Sequence, residues 1–187
     1  MKSLKTIQTI SKVIKIISKI IFILSIVVSC LCAVGRIFTA AGTPVFKIGG
    51  VTVKSIIENA ENLTTGTVVS ELTAGLLISI STIIISKRFV SYFNRELEDG
   101  TPFTLDGAKE MQKLGIISIC VSLGAQIAAN IAHEIIAKIF SQTAELNFSF
   151  PSYVAVGVTL IIVAQICKYG AELQEKNNGA STEEKIY

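Results

Sequence analysis

The chain of 187 residues has no tryptophan, three prolines and a single histidine. That histidine, His133, opens a His-Glu-Ile-Ile-Ala run that lacks the second histidine of a zinc-protease helix, which excludes that enzyme class. Cysteine is no more informative. Cys30, Cys32, Cys120 and Cys167 all fall in apolar runs, where thiols pack as small hydrophobes. Cys30-x-Cys32 has neither metal nor redox spacing, and no pair outside the apolar runs suggests a disulfide. No Walker loop, dinucleotide-binding glycine pattern or Ser-His-Asp set is visible. Gly49-Gly50 lacks the following lysine and helix that phosphate binding requires. The expectation is a non-enzymatic chain with no catalytic residue, no metal ligand and no cofactor.

What the chain does contain is long apolar sequence. Half of its residues are hydrophobic and its mean hydropathy is +0.61, too apolar for an ordinary soluble domain. Four stretches, Ile20–Val34, Thr67–Ser86, Leu114–Ala132 and Phe148–Cys167, approach the ~20 residues that cross a ~30 Å hydrocarbon core. The expected fold class is all-α integral membrane. Four transmembrane helices form a bundle, with spans over about 13–37, 67–88, 113–138 and 150–168. Residues 1–175 then make one membrane domain and 176–187 a flexible cytoplasmic tail.

Charge sets the orientation. Of the 17 basic residues, thirteen fall in three segments: Lys2, Lys5, Lys12, Lys15 and Lys19; Lys87, Arg88, Arg95, Lys109 and Lys113; and Lys168, Lys176 and Lys185. The remaining four, Arg36, Lys47, Lys54 and Lys138, lie on the other side. Because cytoplasmic loops retain Lys and Arg, both termini and the middle loop are expected inside. Span one has an alternative. A Lys-rich start before an apolar run is also a signal-peptide pattern, and Val27-Val28-Ser29-Cys30 loosely resembles a lipoprotein cleavage box. The apolar run continues past Cys30, which favours a retained helix. Lys5, Lys12, Lys15 and Lys19 share one helical face, so the N-terminal segment reads as an amphipathic helix on anionic lipid.

The first external segment carries Val45–Ile48, Gly49-Gly50 and Val51–Val53, a hairpin signal with a two-glycine turn, followed by a short helix over Ser55–Leu63. This β-hairpin/helix element either caps the helix ends or touches a ligand. Asn62-Leu63-Thr64 and Asn147-Phe148-Ser149 fit the glycosylation pattern, which is common by chance. In the middle loop, the helix is expected to stop at Gly100, with Thr101-Pro102 as a break. Thr104 then caps a new helix, Asp106 suits its first turn, and Phe103 staples it.

Two motifs carry a family resemblance. The run Asn94-Arg95-Glu96-Leu97-Glu98-Asp99-Gly100-Thr101-Pro102-Phe103-Thr104 resembles the central signature of a bacterial four-span membrane family known as domain of unknown function 2975. Lys168-Tyr169-Gly170-Ala171-Glu172-Leu173-Gln174-Glu175 resembles that family's signature after its last span. Where family members continue with an acidic tail, this chain has Lys176-Asn177-Asn178. The family has no established activity. Its members are often encoded beside a small helix-turn-helix regulator, which implies a cytosolic protein partner and no direct contact with nucleic acid. The partner surface implied on this chain comprises Arg95, Glu96, Gly100, Pro102, Phe103, Thr104, Tyr169, Gly170 and Gln174.

Span three holds the densest polar set. Gln126, Asn130 and Glu134 share one face, with His133 beside them and Lys138 one turn beyond Glu134. Glu71 and Gln165 are candidate partners from spans two and four, since lipid offers these groups none. One reading makes the set an intramembrane binding or proton-responsive site, histidine being the side chain that changes charge near neutrality. The other makes Gln126 and Asn130 interhelical glue and Glu134–Lys138 an interfacial ion pair. Gly124, Ala128 and Ala132 form a small-xxx-small row that serves either the bundle or a homodimer through span three.

Three functions fit. The foremost is a membrane sensor or tether that modulates a helix-turn-helix regulator. The alternatives are a small transporter or channel subunit using the span-three polar set, and a self-protection protein against membrane-active peptides.

Overall fold

The computed structural model describes residues 2–40, 47–48, 51–52, 65–100, 104–140 and 152–183. Its elements are four long helices, α1 (Lys2–Ala40), α2 (Thr65–Asp99), α3 (Leu105–Ile139) and α4 (Ser152–Glu183), and two very short strands. The strands, β1 (Lys47–Ile48) and β2 (Val51–Thr52), pair antiparallel with Lys47 opposite Thr52 and Ile48 opposite Val51. The expected turn at Gly49-Gly50, the helix over 55–63 and the 141–151 loop lie outside the described residues.

All four helices are long and apolar enough to cross a membrane. The fold is all-helical in its membrane-span-like part and fits a multipass membrane protein. Exposed Ile16, Ile20, Ile23, Leu24 and Leu31 along α1, and Ile127, Ile131 and Ile135 along α3, suit a lipid solvent.

α1 corrects an expectation. A surface helix followed by a separate span is replaced by one continuous helix of 39 residues. No proline or glycine interrupts it before Gly35, so nothing in the backbone forces a bend. The buried line on α1 is Ser11, Ser18 and Ser25, repeating every seven residues, with half-buried Cys32 one heptad further on. Small side chains at that period allow a neighbouring helix to approach along a seam. α4 also exceeds its expected span, running helically to Glu183 through much of the segment assigned to a tail.

The chain forms two compact units: Met1–Ile21, Ile84–Val121 and Pro151–Tyr187 make the first, and Phe22–Ile83 and Ser122–Phe150 the second. In the first unit four helical segments meet. Tyr92 and Phe93 of α2, Ala108, Met111 and Leu114 of α3, and Ala164 and Cys167 of α4 form a buried cluster, flanked by Ile14 of α1, Phe89 and Leu160. Tyr92 and Phe93 meet edge to face with ring centroids 5.1 Å apart, a favourable quadrupole arrangement.

In the second unit α1 and α2 run antiparallel at close range. A Cβ added to Gly75 would lie 3.3 Å from Cys32 Sγ, and one added to Gly35 would lie 3.1 Å from Leu72 Cδ1. Ser122, Ala129 and Ala137 are the buried small residues of α3 there. The small-residue row is therefore corrected as an intramolecular packing face. Gly124 and Ala128 are exposed, Ala132 is half-buried, and a Cβ added at Gly124 would meet nothing within 4 Å. The buried face of α3 is rotated by one position from that row.

Candidate functional site

Two polar sets stand out, one in each unit. The first is the corner where α2 ends and α3 begins. Gly100 has a φ of 75°, the left-handed conformation that ends helices, and its N–H donates to Glu96 O at 3.1 Å. Thr104 caps α3 as expected: Gly107 N donates to Thr104 Oγ1 at 3.0 Å, and Ala108 N to Thr104 O at 3.0 Å. Pro102 and Phe103, including the staple, lie outside the described residues.

Charges brace this corner. Arg95 and Glu110 form an ion pair across it, and Lys109 lies 3.6 Å from Asp106 on α3. The N-terminal part of α1 also engages it. Gln8 Nε2 donates to Gly100 O at 3.2 Å, and Ser11 Oγ donates to Glu96 Oε1 at 2.7 Å. Gln8 and Ser11 were absent from the sequence-derived surface. Their signal was the neutral polar pair at i and i+3, obscured by the conspicuous lysines around it.

From α4, Tyr169 is 65 % exposed, whereas its neighbours Cys167 and Ala171 are buried. Lys168 pairs loosely with Glu172 at 3.9 Å. Gly170 is half-buried, and the side chain of Gln174 lies outside the described residues. Arg95, Glu96, Gly100 and Thr104 are thus brought together at one corner. Tyr169 and Gly170 share the unit without a described bond to that corner.

The second set lies in the other unit. His133 Nδ1 is hydrogen-bonded to Ser70 Oγ of α2. Ser70, at 2 % exposure, takes the role expected of its neighbour Glu71, which is exposed. A rotation of about 100° in α2, one residue, decides between them. Lys138 Nζ donates to Glu134 Oε1 at 2.9 Å, the anticipated ion pair. Asn130 Nδ2 is buried without a partner among the described residues. Gln126 is half-buried in this unit, while Gln165 is exposed and belongs to the first unit. The described residues hold no group of three or more His, Cys, Asp or Glu side chains placed to bind a metal.

Chemically, the first set is a charged, partly exposed corner bonded to Gln8 and Ser11 of α1. The second is a partly satisfied polar contact between α2 and α3. No family model, curated protein or solved structure matches the chain.

Proposed function

We propose that the chain is a non-enzymatic multipass protein of a bacterial cytoplasmic membrane, with both termini inside, that senses a membrane-borne signal and modulates a cytosolic helix-turn-helix regulator. The membrane part rests on the four long apolar helices. The orientation rests on the excess of Lys and Arg at the N-terminus, the middle loop and the C-terminal segment. The regulator rests on the resemblance to the four-span family.

One observation carries the reading: the α2–α3 corner is bonded to α1 through Gln8 and Ser11. A change in α1 packing is thereby felt at Gly100 and Glu96. A ligand or lipid state that favours one of two packings shifts the corner between two presentations, and the partner reads the difference. The short hairpin on the other side of the membrane serves as the cap or the point of signal entry.

The test is affinity capture by the tagged, membrane-embedded protein of a small helix-turn-helix regulator from its own cells. Specific capture that is lost on Arg95→Glu with Lys109→Glu supports the reading. Failure of well-folded protein to capture it removes the regulator, and transport or self-protection then takes its place.

A further inference from the structure

The first unit contains a cavity of about 260 Å³ between the end of α2 and the start of α3. Its walls are Arg88, Ser91 and Tyr92 from α2, and Glu110, Lys113, Leu114 and Ile117 from α3. Each helix contributes residues spaced three and four apart, so one face of each lines the space. We propose that this cavity binds the phosphate-bearing headgroup of an anionic membrane phospholipid.

Charge favours such an occupant. Arg88 and Lys113 have no ion-pair partner among the described residues, which leaves two uncompensated cations at the cavity wall. Glu110 is the one acidic wall, and its carboxylate is engaged by Arg95. The local balance is positive. Ser91 adds a hydroxyl that donates to a phosphate oxygen.

Position favours a lipid over a soluble phosphate. Arg88 follows the apolar stretch Thr67–Ser86 by two residues, and Lys113 precedes the stretch Leu114–Ala132 by one. Both cations therefore lie where hydrocarbon gives way to headgroups. Leu114 and Ile117 continue the cavity wall on the apolar side, where an acyl chain can follow. Basic pockets between membrane helices take anionic headgroups for this reason. The volume falls below the ~300–1,000 Å³ of pockets that enclose a whole drug-sized ligand, so it suits a headgroup whose tails remain in the bilayer. The site is independent of whether a regulator docks at the neighbouring corner.

The probe is native mass spectrometry of the full chain released from nanodiscs of phosphatidylglycerol and phosphatidylethanolamine, with soluble glycerol phosphate as a separate arm. Wild-type protein is expected to retain phosphatidylglycerol in preference to phosphatidylethanolamine. Arg88→Gln with Lys113→Gln is expected to lower that retention about 25-fold, since each cation near an anionic headgroup contributes roughly fivefold. Lys87→Gln with Lys168→Gln removes the same charge outside the cavity and is expected to leave retention within about twofold. Ser91→Phe, which fills the cavity while keeping its charges, is expected to lower retention as well, and it carries the test where the charge variant does not fold. An equal loss in the Lys87/Lys168 variant, or no headgroup preference in wild type, overturns the proposal. Occupancy by glycerol phosphate with no retained lipid overturns the lipid assignment too.

Discussion

Gly115 of α3 and Gly157 of α4 are in backbone contact: a Cβ built on either would come within 2.7 Å of the other's carbonyl oxygen. Ile161 and Ile119 close over the two glycines from either side, at 2.8 Å and 2.6 Å from the added atoms. Among the described glycines of the first unit these make the closest approaches, and backbone cannot yield as a flexible side chain can. Gly115→Ala or Gly157→Ala is expected to destabilise the protein by about 1–3 kcal/mol despite alanine's better helix propensity. Gly124→Ala, which meets nothing, is expected to be neutral or slightly stabilising. Unfolding in mixed micelles by increasing SDS fraction distinguishes the two classes.

The bond from Ser11 to Glu96 is a hydrogen bond to a charged group in a partly buried setting. Ser11→Ala is expected to cost about 1–2 kcal/mol and to loosen α1 from the corner. Hydrogen exchange should rise in the amides around residues 5–19 while α4 remains protected. Unchanged exchange in α1 would mean that this contact does not hold the segment.

Ser70 and His133 form a polar link between α2 and α3 in the second unit. A Ser70→Ala/His133→Ala double-mutant cycle in micelles is expected to give a coupling of about 0.6 kcal/mol, the usual scale for interhelical bonds in membrane proteins. If the polar set lines a transport path, the same variants abolish flux at unchanged stability. On the structural reading they shift stability and leave flux alone.

At the corner, conformation outweighs charge. Gly100 occupies the left-handed region, and a Cβ there would have Gln8 Nε2 at an ordinary 3.9 Å. The cost of Gly100→Ala is therefore conformational, about 1–2 kcal/mol. Glu110→Gln breaks an ion pair whose side chains are 35 % and 56 % exposed, and is expected to cost under about 1 kcal/mol. Thermal unfolding of the two variants in the same detergent gives the order directly.

Orientation is open to chemical labelling. In a background with the four cysteines replaced, Lys109→Cys is expected to react with a membrane-impermeant maleimide only after the cytoplasmic side is opened. Lys138→Cys should react in intact cells. The reverse pattern would invert the proposed topology and move the α2–α3 corner outside.

Several elements were legible because their causes are local. A glycine before Thr-Pro stops a helix, and a threonine ahead of Leu105 starts one, so the corner needed only neighbouring residues to be read. Glu134 and Lys138 are one turn apart, and their pairing follows from helix geometry alone. The lysines of α1 misled for a related reason. They are conspicuous and periodic, yet the face that packs is the serine line beside them. Serine is too weak a hydropathy signal to mark a buried seam when lipid is the solvent.

Sequence alone determined that four apolar stretches form helices long enough to cross a bilayer, because the bilayer thickness and the cost of unpaired backbone in lipid leave few other solutions. Tertiary structure decided which small residues become contacts. Gly124 and Gly115 are both glycines on α3, but only Gly115 lies against another backbone, and Ser70 rather than Glu71 meets His133. Those choices depend on helix rotation and approach, which in lipid are set by shape and by a few polar contacts rather than by burial of apolar surface from water.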